Sequence, residues 1–417
     1  MKLTEMTRGG EPGEQLPAVP IVAAPKQTGL DLLRDQLRRN VRQYGMIFAL
    51  ALIIILFQIW TNGILLKPLN VTNLIQQNSY ILILAIGMVI VIIAGHIDLS
   101  VGSVVGFVGA TSAVLMVNHH MAWPLALAIC LVLGAAIGAF QGYYIAYVEI
   151  PAFIVTLAGM LAFRGATQVM LQGTSIAPFP VGFQKISNGF LPDIGPDTNY
   201  HNLTLLLGLA VIVAMVWSNF RQRRMQIQYG FEVLPTSWFL TKVVAQCAAV
   251  VVFAMLLASY QGAPVVLIIL GFLLVGFAFM MKSTVLGRHV YAIGGNKSAA
   301  RLSGIKDKRV IFLVFVNMGL LSALAGMVYA ARLNAGTPQA GTSFELEAIA
   351  AAFIGGASAT GGVGTVFGAI IGGMVLGVLN NGMSLVGIGS DWQQVIKGAV
   401  LLAAVWFDVY NKKRGGS

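Results

Sequence analysis

The chain has 417 residues, of which 57% are hydrophobic and only 10% charged, and its mean hydropathy is +0.81. Soluble domains have about a quarter of their residues charged, so this composition excludes a soluble domain and indicates a membrane protein with several spans. The formal net charge of +11 does not indicate nucleic-acid binding, because the basic residues lie in short segments beside apolar runs. Cys130 and Cys247 stand apart in apolar runs, which excludes a disulfide framework or a metal site and predicts packed or lipid-facing side chains.

The first 44 residues are polar and are predicted to form a cytoplasmic tail. No apolar run follows the initial Met, so a cleaved signal peptide is not expected. The composition of the first 28 residues is typical of disorder. Residues 30–42 are predicted to form an amphipathic helix at the membrane surface.

Twelve apolar runs follow, each long enough to cross a bilayer, and ten is the alternative count. The predicted spans are 45–64, 79–95, 100–118, 123–147, 152–171, 203–219, 238–259, 264–281, 310–331, 346–361, 363–384 and 393–409. With twelve spans, the Lys- and Arg-rich segments after the sixth, eighth and twelfth fall on the cytoplasmic side, together with both termini. The long loop 173–202 then faces outward, and its four prolines favour a rim on which a partner docks. The predicted fold class is an all-α polytopic membrane protein, with a transmembrane domain over 45–409 and a cytoplasmic tail over 410–417.

The spans contain an internal repeat that can be aligned in two ways. The sequence VGSVVG at 101–106 matches VGTVFG at 363–368, which implies a parallel repeat. The glycine pattern at 134–142 matches that at 364–372, which implies an inverted repeat of the kind common in transporters. We prefer the inverted repeat because the helices that follow, at 152–171 and 392–407, then correspond. The spacing of these glycines also predicts close helix packing.

The clearest functional signal is a polar segment, residues 282–309, between two apolar spans. It contains seven Lys or Arg residues and a single acid, Asp307, the bias expected of a cytoplasmic loop. Within it, Asn296 is placed to cap a short helix, and Gly304 is placed to end it. A small helix beneath a membrane bundle indicates a contact surface for another protein.

Polar residues inside the spans are few and are candidates for lining a solute path. Asp98 lies between two apolar runs, and we interpret it first as a cap for free backbone N–H groups at a broken helix, with solute contact or proton coupling as the alternative. Amide and hydroxyl groups can replace the hydrogen bonds that a polyhydroxylated solute loses with water. Hydrogen bonding between helices is their alternative role. The predicted path residues are Asp98, Gln141, Thr156, Asn380 and Asn381.

Enzyme motifs are absent from the sequence. The segment GGNKS at 294–298 resembles part of a P-loop, but Asn296 stands where a P-loop needs glycine, and strand and helix flanks are missing. HExxH, CxxC and GxSxG do not occur. The chain is therefore not predicted to be an enzyme or to bind a cofactor or metal itself.

Several motifs resemble those of a transporter family. Ser298, Ala299, Ala300 and, four residues on, Gly304 resemble the EAAxxxG loop of ABC importer permeases, which docks in a groove of the ATPase subunit, with Ser298 in place of the glutamate. The segments 97–103, 150–165, 287–296, 299–305, 381–383 and 392–398 are similar to the ribose/xylose class of sugar permeases. The resemblance spans 45–410. An insert at 202–259, which shorter ribose-type permeases lack, makes the chain most similar to the xylose or multiple-monosaccharide permeases.

The resemblance implies a permease subunit that imports a monosaccharide, a xylose-like pentose or a hexose, across a bacterial inner membrane. It also implies a permease homodimer with the path between the copies, an ATPase subunit that carries ATP and Mg²⁺, and a periplasmic sugar-binding protein. We expect Arg301 to pair with an acid on the ATPase. The residues implied in ATPase coupling are Asn296, Ser298, Ala299, Ala300, Arg301, Ser303 and Gly304. A secondary sugar transporter driven by an ion gradient is the alternative function.

Overall fold

The computed structural model describes residues 41–196, 199–231, 233 and 235–415, and these residues form helices, with two isolated β-bridges as the only other regular pairing among them. The helices are α1 Val41–Trp60, α2 Pro68–Ile93, α3 Val101–Ala113, α4 Trp123–Ala146, α5 Ala152–Leu171, α6 Val181–Asn188, α7 Asn202–Gln228, α8 Thr236–Ala258, α9 Val265–Ser283, α10 Val285–Gly295, α11 Lys297–Leu302, α12 Asp307–Leu333, α13 Phe344–Ile354, α14 Val366–Leu385 and α15 Ser390–Gly415. A π-helical turn, Val114–Asn118, extends α3.

Nine of the helices in the described ranges are long and apolar enough to cross a membrane. They are α2, α3 with its π-helical turn, α4, α5, α7, α8, α9, α12 and α14. The shorter apolar stretch of α1, Gly45–Trp60, adds to them. The all-α polytopic fold is therefore confirmed.

Two long helices, α2 and α12, form the centre of the bundle. In the most apolar stretch of α2, 89% of the residues are buried, because other helices cover α2 on all sides. The corresponding share for α7 is 11%, because α7 lies at the periphery. The Tyr80 ring packs on the Tyr329 ring with centroids 4.9 Å apart. A Cβ on Gly87 would meet Met318 and Leu321. The two contacts lie in opposite order along the helices, so α2 and α12 are antiparallel.

The helices that contain the two glycine patterns, α4 and α14, each pack on a central helix, although Gly368 and Gly372 of the second pattern lie against the end of α13. A Cβ on Gly134 would meet Gly319, and one on Gly138 would meet Phe315, so α4 packs closely and antiparallel on α12. On the other side, α14 packs on α2 through Gly373, which lies against Leu82. The third helix of each half therefore packs on the long central helix of the other half, and the two central helices run in opposite directions. This arrangement is that of an inverted repeat of α2–α5 and α12–α15, and it leaves the parallel alignment without a structural counterpart.

The tenth predicted span, 346–361, is wrong as a continuous helix. In its place α13 has 11 residues and is therefore about 16 Å long, roughly half of the ~30 Å hydrocarbon core. Residues 355–365 continue as irregular backbone, and residues 94–100 form a second irregular segment before α3. Such backbone is stable at membrane depth only where protein surrounds it. The second predicted span also differs, since α2 begins at Pro68 and not at 79.

The insert 202–259 contains α7 and α8, which form an antiparallel pair at the edge of the bundle. Asn219 donates a hydrogen bond across this pair to Gln246 over 3.3 Å. The predicted disorder of the first 28 residues, and all but the end of the surface helix predicted at 30–42, lie outside the described residues. At the other terminus, the tail predicted at 410–417 begins within α15, which ends at Gly415. Cys130 is buried and Cys247 is half-buried, and neither is in a disulfide.

Candidate functional site

The helix predicted in the polar loop is present as α11. The Asn296 side-chain oxygen accepts a hydrogen bond from the Ala299 N–H over 2.9 Å, as an N-cap does. At the other end, the Ile305 N–H donates to the Ala300 carbonyl over 3.1 Å, and Gly304 has a φ of +82°, a left-handed conformation that favours glycine. Cap and exit turn together make α11 a short, sharply bounded helix.

One of the residues implied in ATPase coupling, Ala300, does not lie on the exposed face of α11. Ala300 is only 4% exposed and packs toward the bundle, so it does not offer a small surface to a partner. Ser298, Ala299 and Ser303 are exposed, and Leu302 is 91% exposed. Sequence reasoning missed Leu302, although an isolated leucine in a strongly basic loop is a usable signal. The surface that α11 can present to another protein is small, polar and centred on one apolar side chain.

Ion pairs hold α11 against the bundle. The Arg301 guanidinium donates to the buried Asp307 carboxylate over 2.7 Å, and this hydrogen bond raises the pKa of Arg301. Lys297 lies 3.9 Å from the same carboxylate. Arg301, expected to pair with an acid on another subunit, is thus paired within the loop. A further ion pair, Lys308 to Glu149 over 2.9 Å, joins the start of α12 to the α4–α5 connection, and the hydrogen bond from Lys308 lowers the pKa of Glu149.

The helix before α11 contacts the irregular segment 355–365 and the end of α2. The Tyr291 hydroxyl in α10 donates a hydrogen bond to the Gly364 carbonyl over 2.7 Å. The Gly362 N–H donates to the carbonyl of Ile93, the last residue of α2, over 2.9 Å. A Cβ on Gly294 would clash with the same Ile93 carbonyl and with the Gly362 backbone. The end of α2, the segment 355–365 and α10 therefore meet in one glycine-lined junction, which we call the glycine junction.

Asp98 and Gln141, two of the predicted path residues, are brought together through Ser100. The Asp98 carboxylate accepts hydrogen bonds from the Ser100 N–H over 2.8 Å and from its hydroxyl over 2.7 Å. The Gln141 side chain lies 3.0 Å from the same hydroxyl. Asp98 and Ser100 are buried, and the geometry agrees with our first interpretation of Asp98, a residue that binds a free N–H at a broken helix.

Thr156 and the two asparagines lie elsewhere. The buried Thr156 hydroxyl donates to the Ala152 carbonyl of its own helix over 2.9 Å. Asn381 and Asn70 form a reciprocal amide pair, with N–O distances of 2.8 and 3.1 Å. The structure therefore does not bring the five predicted path residues into one site.

A polar cleft of about 430 Å³ lies between α5 and the loop before α13. Arg164 donates there to the Thr342 hydroxyl over 2.7 Å and to the Gly341 carbonyl over 3.2 Å. Gln168 donates to the Pro338 carbonyl over 3.2 Å. One oxygen of the Glu345 carboxylate is buried without a hydrogen-bond partner. Sequence reasoning did not select Arg164 or Gln168 as path residues.

A second polar pocket, of about 370 Å³, lies between the first turns of α2 and the last turns of α14. We call it the amide pocket, because amides dominate its lining. It is lined by Asn70, Asn73, Gln77, Asn78, Asn380, Asn381, Ser384 and Leu385. Since α2 and α12 are antiparallel and α11 precedes α12, the pocket lies at the end of the bundle opposite α11.

Among the described residues there is no group of three or more His, Cys, Asp or Glu side chains that could hold a metal ion. The sites available are thus the surface of α11, the glycine junction, the cleft beside α5 and the amide pocket. These are an exterior helix tied to a membrane bundle and uncharged or mixed polar pockets within it, an arrangement that fits a membrane permease.

Comparison with known proteins agrees with that class. Residues 70–405 match the family described as branched-chain amino acid transport system / permease component, and the chain belongs to this family. It is a multi-pass membrane permease.

Individual relatives are similar over nearly the whole chain. The xylose transport system permease protein of Haemophilus influenzae is 42% identical over 375 residues, which cover 90% of this chain and 98% of the relative. That of Escherichia coli is 42% identical over 394 residues, 94% of this chain and 97% of the relative. The ribose import permease protein of Escherichia coli is 34% identical over 374 residues, 90% and 95% of the two chains. No solved structure matches the chain.

Proposed function

We propose that this chain is the membrane-spanning subunit of an ATP-driven ABC importer that moves a monosaccharide, a xylose-like pentose or a hexose, into the cytoplasm. The observation that carries the proposal is α11, a capped helix that stands outside the bundle and connects directly to the glycine junction within it. The identity of 42% to xylose permeases over nearly the full chain supports the choice of substrate class.

The charge distribution supports the proposed orientation in a bacterial inner membrane. Because α10 and α11 lie in the basic loop 282–309, that end faces the cytoplasm, with both termini on the same side. The amide pocket and the loop 173–202, which contains α6, then face outward, where a periplasmic sugar-binding protein would dock. ATP and Mg²⁺ would be bound by a separate ATPase subunit and not by this chain.

Helix α5 supports a homodimer with the path between its copies. Only 17% of its most apolar window is buried, and Phe153, Leu157 and Leu161 follow one another along its exposed face. This apolar stripe is available to a second copy, and the cleft with Arg164 opens beside it. Gln141 also lies against α5, since a Cβ on Gly159 would meet its amide, so the Asp98–Ser100–Gln141 network borders the proposed path.

The mechanism follows from the contacts of α10 and α11. When the ATPase subunits close on ATP, α11 would move as a rigid unit because both of its ends are fixed. At Gly294 the glycine junction is closely packed, so displacement of α10 would be passed to residues 355–365 and to the end of α2. Residues 94–100, with the Asp98 network beside α5, continue from that end. Motion at α11 would thus reach the irregular segments at the centre of the bundle.

Co-purification tests the proposal. The chain would be expressed with the ATPase encoded beside it, as wild type, as Leu302→Asp and as Gly304→Trp. Leu302 is a better site than Ala300 because it is exposed, so its replacement does not disturb packing. Tyr229→Asp, at a 71% exposed position after α7, is the matched control.

We expect the ATPase to co-purify with wild type and control and to be lost from both α11 variants. If no ATPase binds wild type, and the chain alone accumulates sugar in vesicles driven by a proton gradient, the secondary transporter is the correct function.

A further inference from the structure

The amide pocket is uncharged. None of its eight lining residues is ionisable, and seven of them carry an amide or a hydroxyl group. Amides offer both N–H donors and carbonyl acceptors, which match hydroxyl groups that also donate and accept. A charged ligand would find no counter-charge there, and its desolvation would be unfavourable. The lining therefore favours a small neutral ligand with several hydroxyl groups.

Part of the pocket's hydrogen-bonding capacity is unused. The Asn380 side-chain oxygen is buried and has no partner. Within the described part of the chain, the side chains of Asn73 and Gln77 make no hydrogen bond, whereas those of Asn70 and Asn381 bond to each other. A buried carbonyl without a donor is unfavourable, and a ligand hydroxyl would satisfy it. The unused groups are therefore available to a ligand, and the Asn70–Asn381 pair fixes the wall.

Backbone packing holds the pocket open. A Cβ on Gly377 would lie 2.8 Å from the Asn78 amide carbon, so glycine at this position allows Asn78 to occupy the wall between α2 and α14. Asn78 is held there by a hydrogen bond from its amide to the Leu74 carbonyl over 2.7 Å. The volume, about 370 Å³, lies at the lower end of the range of small-molecule sites.

We propose that the amide pocket binds a neutral monosaccharide and is an entry site for the imported sugar at the outward end of the permease. The inference rests on the proposed function, which supplies both the orientation and the substrate class. It extends that function by naming a site within one copy of the chain, apart from the cleft beside α5.

Ligand-observed saturation-transfer NMR on the full chain in phosphatidylcholine nanodiscs tests the proposal, because it detects weak binding. D-xylose and D-ribose are the probes, and gluconate, which adds a carboxylate, is the charged comparison. The variants are Asn380→Leu, which removes the free acceptor, and Gln77→Leu, at an exposed position where folding is not at risk. Asn219→Leu, in the peripheral α7, is the matched control.

We expect the pentoses to bind to wild type and to the control. Each pocket variant should bind them about three- to tenfold more weakly, because it loses one hydrogen bond to the sugar. Gluconate should not bind. Equal pentose binding in wild type and both pocket variants would overturn the proposal, as would equal binding of gluconate. The proposal would also be overturned if a glycolipid added to the nanodisc displaced xylose and free ribose did not. The ligand of the pocket would then be a lipid headgroup. Co-purification of the ATPase, measured on the same preparations, separates failure of this site from failure of the proposed function.

Discussion

The hydroxyl of Tyr291 and the carbonyl of Gly364 are 2.7 Å apart, and this hydrogen bond joins the helix before α11 to an irregular segment inside the bundle. The two residues are 73 positions apart in sequence. Through them a contact made outside the membrane is connected to irregular backbone between α13 and α14. If α11 is the docking helix, Tyr291 is a positioning residue for transport.

The Tyr291→Phe variant tests this connection. It removes one hydrogen bond, which contributes about 0.5–1.5 kcal/mol, so the fold and the docking surface should persist. We expect the ATPase to co-purify as with wild type, while sugar uptake per ATP hydrolysed falls by about two- to tenfold. Proteoliposomes containing the complete transporter would measure both rates. Tyr229→Phe, at an exposed position, should leave the ratio unchanged, and an unchanged ratio in Tyr291→Phe would show that the contact is not part of the coupling.

Gly294 and Gly295 provide a neighbouring pair for testing the glycine junction. A Cβ on Gly294 would clash with the Ile93 carbonyl, whereas one on Gly295 would meet nothing within 4 Å. We expect Gly294→Ala to destabilise the protein by about 1–3 kcal/mol, as overpacking does, and Gly295→Ala to be neutral. Size-exclusion chromatography after heating to a series of temperatures would measure this. Equal melting temperatures for the two variants would contradict the close packing.

Ser100 and Ser103 make an equally direct comparison for the Asp98 network. Ser100 hydrogen-bonds both Asp98 and Gln141, whereas the buried Ser103 hydroxyl has no partner. Ser100→Ala should therefore destabilise the chain by about 1–3 kcal/mol, the cost of leaving buried polar groups unsatisfied. Ser103→Ala should be neutral or stabilising because it removes such a group. The same thermal assay applies, and a reversed order of the two melting temperatures would refute the network.

Asp307 should matter to docking because it holds Arg301. The Asp307→Asn variant removes the charge that fixes α11 against the bundle, so we expect the ATPase to bind severalfold more weakly. Glu149→Gln removes the other ion pair of this region, between side chains that are 44% and 56% exposed, and should have no measurable effect. Titration of the ATPase onto nanodiscs containing each variant would compare them. Equal weakening by both would point to general charge attraction instead of a positioned helix.

The local elements of α11 could be predicted from sequence because they depend on neighbouring residues. Asn296 reaches an N–H three residues away, and Gly304 adopts a conformation that other residues rarely take. The burial of Ala300 and the pairing of Arg301 with Asp307 could not be predicted, because the orientation of a six-residue helix depends on what it packs against. The role of α11 in ATPase coupling stays a prediction.

The path residues show the same division. Asp98 was recognised as an unusual acid beside a broken helix, and it binds the N–H expected of that setting. Its link to Gln141, 43 positions away, depends on how α4 packs. The amide pocket combines Asn380 and Asn381 with α2 residues some 300 positions earlier, which neither hydropathy nor spacing could relate.

The sequence by itself determined that this is an α-helical membrane protein with a basic loop, because apolar length and charge bias act within single segments. Tertiary structure decided that α13 is half a span, that α10 meets Ile93 and Gly364, and which polar groups share a pocket. The physical reason is that irregular backbone within the bundle is stable only where distant segments satisfy its hydrogen bonds, so its position depends on the packing of the whole chain.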